Sequence, residues 1–138
     1  MTHPIIFISY SHKDEAWKDR LVRHLGVLQR EGLLDTWDDR QIGAGANWYK
    51  AIQQAIERAR VTILLISADF LTSKFILEQE VPPLLERRQA EGLHIVPVIV
   101  WPCPWRRVSW LSSLQSRPKD GRALSAGNEH GCRSHIDV

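Results

Sequence analysis

Apolar and polar positions divide the chain into alternating strand-like and helix-like segments. Four apolar runs are short, and the strongest are rich in β-branched residues, as in strands buried inside a parallel sheet. These runs cover residues 5–9, 33–37, 61–66 and 94–100. Between them, apolar residues recur every three or four positions, which predicts helices over about 14–30, from Trp48 to Ala59, and from about Ser73 to Gly92 with a break at Pro82–Pro83. Such alternation predicts an α/β fold, a doubly wound parallel sheet with helices on both faces.

The pattern weakens after Trp101. One short helical turn is predicted near 110–114, and a last strand around 122–124 would bring the sheet to about five strands in the order 2-1-3-4-5. Residues 126–138 form a polar tail, in which the expected closing helix is not recognisable. Because the chain has neither an internal repeat nor a linker-like stretch, we interpret residues 1–138 as a single domain.

One acidic residue lies on the apolar face of the third predicted helix. Glu80 follows Ile76 by four positions and precedes Leu84 by four, so it shares their stripe. A buried carboxylate is costly unless it is paired or used. Two interpretations are therefore open. Glu80 either forms an ion pair with an arginine, such as Arg40 or Arg87, or it is a functional group.

A binding site is expected where the order of the strands reverses. In an open sheet of this type, ligands bind beyond the carboxyl ends of the strands, here between the first and the third strand. The segments predicted to meet there are rich in hydroxyl and acidic groups: Ser9-Tyr10-Ser11, Asp38-Asp39-Arg40 and Ser67-Ala68-Asp69. For Ser9 and Tyr10, a structural role as strand end and helix cap stays open.

Composition narrows the classes of function. The 18 basic and 16 acidic residues nearly balance, which gives no reason to expect nucleic-acid binding. Cys103 and Cys132 have neither a metal-ligand spacing nor a disulfide framework, so a reducing cytoplasm is expected. The six histidines are scattered, so no metal site is predicted. The apolar runs are too short to span a membrane.

Familiar nucleotide and phosphate motifs do not fit. Gly43-Ala44-Gly45 begins like a dinucleotide fingerprint, but Trp48 replaces the third glycine, so we interpret it as a turn. The chain has no P-loop sequence. A receiver domain would need an acid pair after the first strand and an aspartate after the third, where Ser9-Tyr10 and Ser67 stand instead.

Four ordered boxes resemble the Toll/interleukin-1 receptor (TIR) domain family in its bacterial form. They are FISYSHKD at 7–14, WDDRQIGAGANW at 37–48, ISADFLTSKF at 66–75, and the run 75–80 followed by 96–99. The similarity covers about residues 3–125 and implies a flavodoxin-like fold.

The resemblance implies one of two functions. Many bacterial TIR domains cleave NAD+ between nicotinamide and ribose with a glutamate on the helix after the third strand, which corresponds to Glu80. Several active members have an aromatic residue where this chain has Ile76. NAD+ is then a substrate, and no cofactor is implied. The residues implied to border the nucleotide are Ser9, Tyr10, Ser11, Asp39, Arg40, Gly43 and Ile76.

Other TIR domains are adaptors without enzymatic activity, which signal by self-association. In this chain the corresponding contact surface would be the loop from Arg40 to Trp48. The resemblance further implies homotypic TIR–TIR contacts, a fused or associated sensor domain, and a role in bacterial defence or effector signalling.

Overall fold

The computed structural model describes residues 4–42, 47–112 and 114, and a four-stranded parallel sheet forms the centre of this part. The strands are β1 Ile5–Ser9, β2 Asp35–Trp37, β3 Ala59–Ile66 and β4 His94–Ile99, in the order β2-β1-β3-β4. The described pairings are all parallel. The predicted flavodoxin-like class is confirmed, with the order of its first four strands. The predicted strand at 122–124 and the tail at 126–138 lie outside the described residues.

Helices cover both faces of the sheet, as predicted. They are α1 Glu15–Arg30, α2 Trp48–Arg58, α3 Ala68–Leu71, α4 Val81–Glu91 and α5 Ser109–Ser112. On one face, Ile8 and Leu65 belong to an apolar cluster with Leu21 of α1. On the other, Phe7 belongs to a second cluster with Leu84 of α4. No helix of the described part is both long and apolar enough to cross a membrane.

Glycines in the left-handed conformation follow α1 and α4. Gly32 has a φ of 77° after α1, and Gly92 has a φ of 75° after α4. Both helix ends match the prediction. The predicted end of α2 is wrong, because Ala59 is the first residue of β3 and no loop separates the two elements. Nη1 of Arg87 holds this junction by donating to the carbonyl oxygens of Ile56 and Ala59, at 2.6 and 2.7 Å.

A π-turn at residues 76–80 leads into α4. The N–H of Val81 donates to the carbonyl oxygen of Ile76, five residues earlier, in place of the four-residue step of an α-helix. The helical segment begins after Ser73, as predicted, and the Ser73 Oγ accepts from the N–H of Ile76 at 3.3 Å. The wider turn changes which side chains share a face.

The predicted helix break at Pro82–Pro83 is wrong. Both prolines lie in the first turn of α4, and the helical backbone continues through them from the π-turn. Their effect lies upstream, because the carbonyl oxygens of Glu78 and Gln79, four residues earlier, lose their α-helical donors. Gln53 of α2 supplies one replacement, since its Nε2 donates to the Gln79 carbonyl oxygen at 3.2 Å. The proline pair thus favours a local widening of the helix.

Candidate active site

Glu80 is the last residue of the π-turn, and its carboxylate meets the end of β1. The Oγ of Ser9, the final residue of that strand, donates to Oε1 of Glu80 at 2.6 Å. Both side chains are buried, with 6% of Glu80 and 1% of Ser9 exposed. The acid on the apolar stripe therefore points inwards, to the carboxyl edge of the sheet.

Neither arginine considered as a partner reaches this carboxylate. Arg40 makes a two-pronged contact with Glu15, with Nε and Nη2 at 2.7 and 2.8 Å from its oxygens. Arg87 holds backbone carbonyl groups and pairs with Glu91. Within the described residues, no basic side chain forms a salt bridge with Glu80. The ion-pair interpretation is therefore wrong for this part of the chain.

The pKa of Glu80 reflects its burial without a basic partner. Burial raises the pKa of Glu80 from 4.5 to about 7. The hydrogen bond from Ser9 favours the charged form and opposes this rise, while the negative charge of Asp39 adds to it. A carboxyl group that changes charge near neutral pH is a frequent property of functional sites.

A second acidic centre lies beside the first. Tyr10 Oη donates to Oδ1 of Asp39 at 3.0 Å, and Nε2 of His12 lies 2.6 Å from Oδ2 of the same carboxylate. Tyr10 is 5% exposed, and its burial, with the charge of Asp39, raises the pKa of the phenol. Asp39 thus joins a residue of the β1 end to one of the turn that follows it.

The backbone after β2 sets the position of Asp39. Asp38 is buried, and its Oδ1 accepts from the N–H of Arg40 at 2.9 Å, which begins the short 3₁₀ turn Asp39–Gln41. The buried ammonium group of Lys18 lies 3.7 Å from Oδ2 of Asp38. Asp38 is therefore held by a capping hydrogen bond and by the charge of Lys18. This places the carboxylate of Asp39 next to Tyr10 and His12.

Both acidic centres open onto one cavity of about 280 Å³. Small-molecule sites have volumes of roughly 300–1,000 Å³, so this cavity is large enough for a small ligand or for part of a larger one. Trp48 and Phe75 form an aromatic wall, with ring centroids 5.0 Å apart. The lining residues combine hydroxyl, acidic and aromatic groups: Tyr10, Ser11, His12, Asp39, Trp48, Ser73, Phe75, Ile76 and Glu80.

The predicted site residues have three placements. Those that line the cavity are Tyr10, Ser11, Asp39, Ile76 and Glu80. Ser9 lies behind Glu80 as its hydrogen-bond donor. The side chain of Arg40 is bound to Glu15 and does not belong to the lining. Gly43 lies outside the described residues.

Four lining residues were not predicted to bind: His12, Ser73, Phe75 and Trp48. His12 lies one position beyond the Ser9–Ser11 segment, so its place after β1 was a usable signal. Phe75 is harder to predict, because it lies outside the apolar stripe of Glu80 at the α-helical period, and the π-turn lies between the two residues. Trp48 was expected to be a core or interface residue, and its side chain is 40% exposed.

The polar side chains that line this cavity carry carboxylate, hydroxyl, indole and imidazole groups. The described residues include no cluster of three or more histidine, cysteine or acidic side chains that could hold a metal ion. What the site offers is a buried carboxylate without a counter-charge, a histidine–aspartate pair and an aromatic surface. Such a set suits stabilisation of a positively charged group.

Sequence comparison identifies the family. A sequence model of the TIR domain matches residues 6–125, and the chain belongs to the TIR domain family. It is 35% identical over 122 residues to an uncharacterized protein, y4lF, of Sinorhizobium fredii (strain NBRC 101917 / NGR234). That match covers 88% of this chain but 38% of the relative, so the chain spans well under half of the relative's length.

Solved structures share the fold. The TIR domains of the activated Roq1 resistosome, which directly recognises the pathogen effector XopQ, match with a TM-score of 0.59 and 24% identity over 75% of this chain and 61% of that chain. The TIR domain of the Toll-related receptor TRR-2 from Hydra magnipapillata matches with a TM-score of 0.61 and 23% identity, over 83% and 86%. At these identities the likeness concerns the fold alone.

Proposed function

We propose that this TIR domain cleaves NAD+ between nicotinamide and ribose, by hydrolysis or cyclisation, with Glu80 as the catalytic carboxylate. The observation that carries the proposal is the carboxylate itself, 6% exposed and facing a cavity that has no lysine or arginine in its described lining. A carboxylate kept only for stability would be paired, because an unpaired buried charge is costly. A positively charged ligand is the partner that this site lacks.

The chemistry of NAD+ suits a single carboxylate. Nicotinamide leaves as a neutral ring, so no general acid has to protonate it. The barrier lies in the ribose, which becomes positively charged as the bond breaks. Glu80 would stabilise that charge and bind the ribose hydroxyl groups, and its burial would strengthen this electrostatic effect. The positive pyridinium ring of the bound substrate would also favour the ionised form of Glu80.

The cavity supports this assignment in its shape and lining. Trp48 and Phe75 offer an apolar aromatic surface for a ring, while Tyr10, Ser11 and Asp39 offer partners for hydroxyl groups. At about 280 Å³ the cavity would hold the nicotinamide riboside half of the dinucleotide. We extend the proposal to activation by TIR–TIR self-assembly, in a longer protein with a sensor domain that acts in bacterial defence or effector signalling.

The test compares two isosteric substitutions on the same helical segment. Glu80→Gln removes the proposed catalytic charge, and Glu78→Gln removes a charge from an exposed position two residues away. We expect Glu80→Gln to lower nicotinamide release by roughly 10²–10³-fold, the usual loss when a key electrostatic group is removed. Glu78→Gln is expected to keep the parent rate. Chromatography of nicotinamide measures the rate, and circular dichroism checks that both variants are folded.

A specific observation also favours an adaptor without enzymatic activity. Trp48 and Tyr49 begin α2 with 40% and 53% of their surface exposed, next to the loop implied to mediate TIR–TIR contacts. Exposed aromatic side chains are typical of protein interfaces. This alternative predicts self-association without turnover of NAD+, even in concentrated protein, and without any effect of Glu80→Gln.

A further inference from the structure

We propose that His12 is a second catalytic residue, the general base that takes a proton from the water molecule attacking the ribose. This inference rests on the proposed function, since it assigns the capture step of the same reaction. It arises from the histidine–aspartate pair, which the role of Glu80 leaves unexplained. His12 lines the cavity that Glu80 lines, and it belongs to a different element, the turn after β1.

The hydrogen bond to Asp39 selects the tautomer of the neutral imidazole. An ionised carboxylate only accepts hydrogen bonds, so Nε2 of His12, 2.6 Å from Oδ2, carries the proton and donates it. In the neutral imidazole, Nδ1 then holds the free electron pair, and no hydrogen bond to it is formed within the described residues. This is the arrangement by which a carboxylate orients a catalytic histidine and later stabilises its positive form.

Tyr10 makes the pair more rigid. Its Oη donates to the other oxygen of Asp39 at 3.0 Å, so each carboxylate oxygen has one donor. The Tyr10 and His12 rings also lie against each other, with centroids 5.5 Å apart. The imidazole is therefore held on two sides, although 46% of its side chain is exposed. That exposure leaves a path for water to enter and for the proton to leave.

The assigned step balances in atoms and charge. The bond between the ribose C1′ and the nicotinamide nitrogen breaks, and its electron pair stays on nicotinamide. The water oxygen forms a bond to C1′ and gives one proton to Nδ1 of His12. ADP-ribose and nicotinamide are the products, and the imidazolium passes its proton to solvent. Glu80 stabilises the ribosyl cation throughout the reaction, and His12 activates the water molecule that captures it.

The partition of the reaction tests this role. In the presence of 3-acetylpyridine, the ribosyl cation is captured either by water, which needs a base, or by the pyridine nitrogen, which carries no proton. We expect His12→Gln to raise the ratio of base exchange to hydrolysis by at least about tenfold, since general bases contribute roughly 10²–10⁴-fold. This ratio does not depend on the folded fraction. His94→Gln, at an exposed position of β4, is the matched control and should keep the parent ratio.

The other outcomes are distinct. If the parent hydrolyses NAD+ and Glu80→Gln does not, an exchange ratio in His12→Gln within twofold of the parent overturns the role of His12 and leaves the proposed function standing. A folded His12→Gln protein that neither exchanges nor hydrolyses also overturns it, because capture follows bond breaking. A parent that makes only a cyclic product through an adenine nitrogen overturns it too. A parent that releases no nicotinamide overturns the proposed function, and this inference with it.

Discussion

Ser9 and Glu80 form a unit at the scale of single residues, and their hydrogen bond has a consequence for activity. Burial raises the pKa of Glu80 to about 7, so only part of the protein carries the carboxylate at neutral pH. We expect kcat/KM for NAD+ cleavage to rise with pH through about 7 and then level off. Ser9→Ala removes the contact that favours the charged form, so the midpoint should move to higher pH.

The control for this prediction is Ser112→Ala, which removes an exposed hydroxyl group from α5. Its pH profile should coincide with that of the parent. A midpoint that stays in place or moves to lower pH in Ser9→Ala would show that the hydrogen bond does not tune the carboxylate.

The same burial predicts a pH dependence of stability that needs no activity assay. The pKa of Glu80 is about 7 in the folded protein and 4.5 in the unfolded reference, so the folded state binds more protons between these values. The contribution of Glu80 to the free energy of unfolding therefore falls as pH rises from 4.5 to 7. Relative to Glu80→Gln, the parent should lose on the order of 3 kcal/mol across this window.

Urea unfolding at pH 5 and pH 8 measures this difference, with Glu78→Gln as the variant that removes a nearby exposed charge. The stability of Glu80→Gln should approach that of the parent at pH 5 and exceed it at pH 8. If the free energies of unfolding of the two proteins differed by the same amount at both pH values, burial would not raise the pKa of Glu80.

At the scale of single residues, the sequence predicts some features of the site but not others. The position of Glu80 on an apolar stripe can be predicted from the sequence, because the buried face of a helix repeats with the helical period. The binding of Arg40 to Glu15 was not found, since the two residues are 25 positions apart and nothing local selects one acid as the partner. His12 belongs to the sequence box at 7–14, but its pairing with Asp39 depends on the pairing of β1 with β2.

At the scale of elements, the π-turn decides which side chains face the cavity. Pro82→Ala together with Pro83→Ala restores two N–H groups, which can pair with the carbonyl oxygens of Glu78 and Gln79 in α-helical register. This change would turn Glu80 away from Ser9. We expect NAD+ cleavage to fall at least about tenfold, while the free energy of unfolding changes by less than about 1 kcal/mol, since alanine suits a helix.

Glu86→Ala, on the exposed side of α4, is the control for a change of sequence in that helix. Steady-state kinetics and urea unfolding measure the two effects separately. Parent-like cleavage by the double proline variant would mean that the prolines do not maintain the π-turn, or that its geometry does not matter.

The elements divide into those that periodicity predicts and those that it cannot. The strands at 5–9 and 94–100 are largely apolar runs, and Gly32 and Gly92 indicate the helix ends because glycine readily adopts the left-handed conformation found there. The start of β3 at Ala59 was missed, because a small apolar residue suits the buried face of either element. An α-helical period applied throughout this segment cannot show the π-turn, although Pro82–Pro83 indicates a disturbance of the helix.

At the scale of the whole molecule, the site is assembled from segments that are distant in sequence. Ser9 and Glu80 are 71 residues apart, and Tyr10 and Asp39 are 29 apart. A further bond from Ser67 to buried Asp14 joins the end of β3 to the turn after β1. Parallel strands bring their carboxyl ends to one edge, so the meeting of these segments was predictable. The individual pairings depend on side-chain packing that no sequence period encodes.

The central claim is that Glu80 makes this domain an NAD+-cleaving enzyme, and one measurement tests it most directly. Nicotinamide release is followed over a series of protein concentrations for the parent, Glu80→Gln and Glu78→Gln. The account predicts release by the parent and Glu78→Gln, with a rate per molecule that rises as self-assembly proceeds, and loss of release in Glu80→Gln at every concentration. Equal turnover by parent and Glu80→Gln, or no turnover by the parent at the highest concentration, would contradict it.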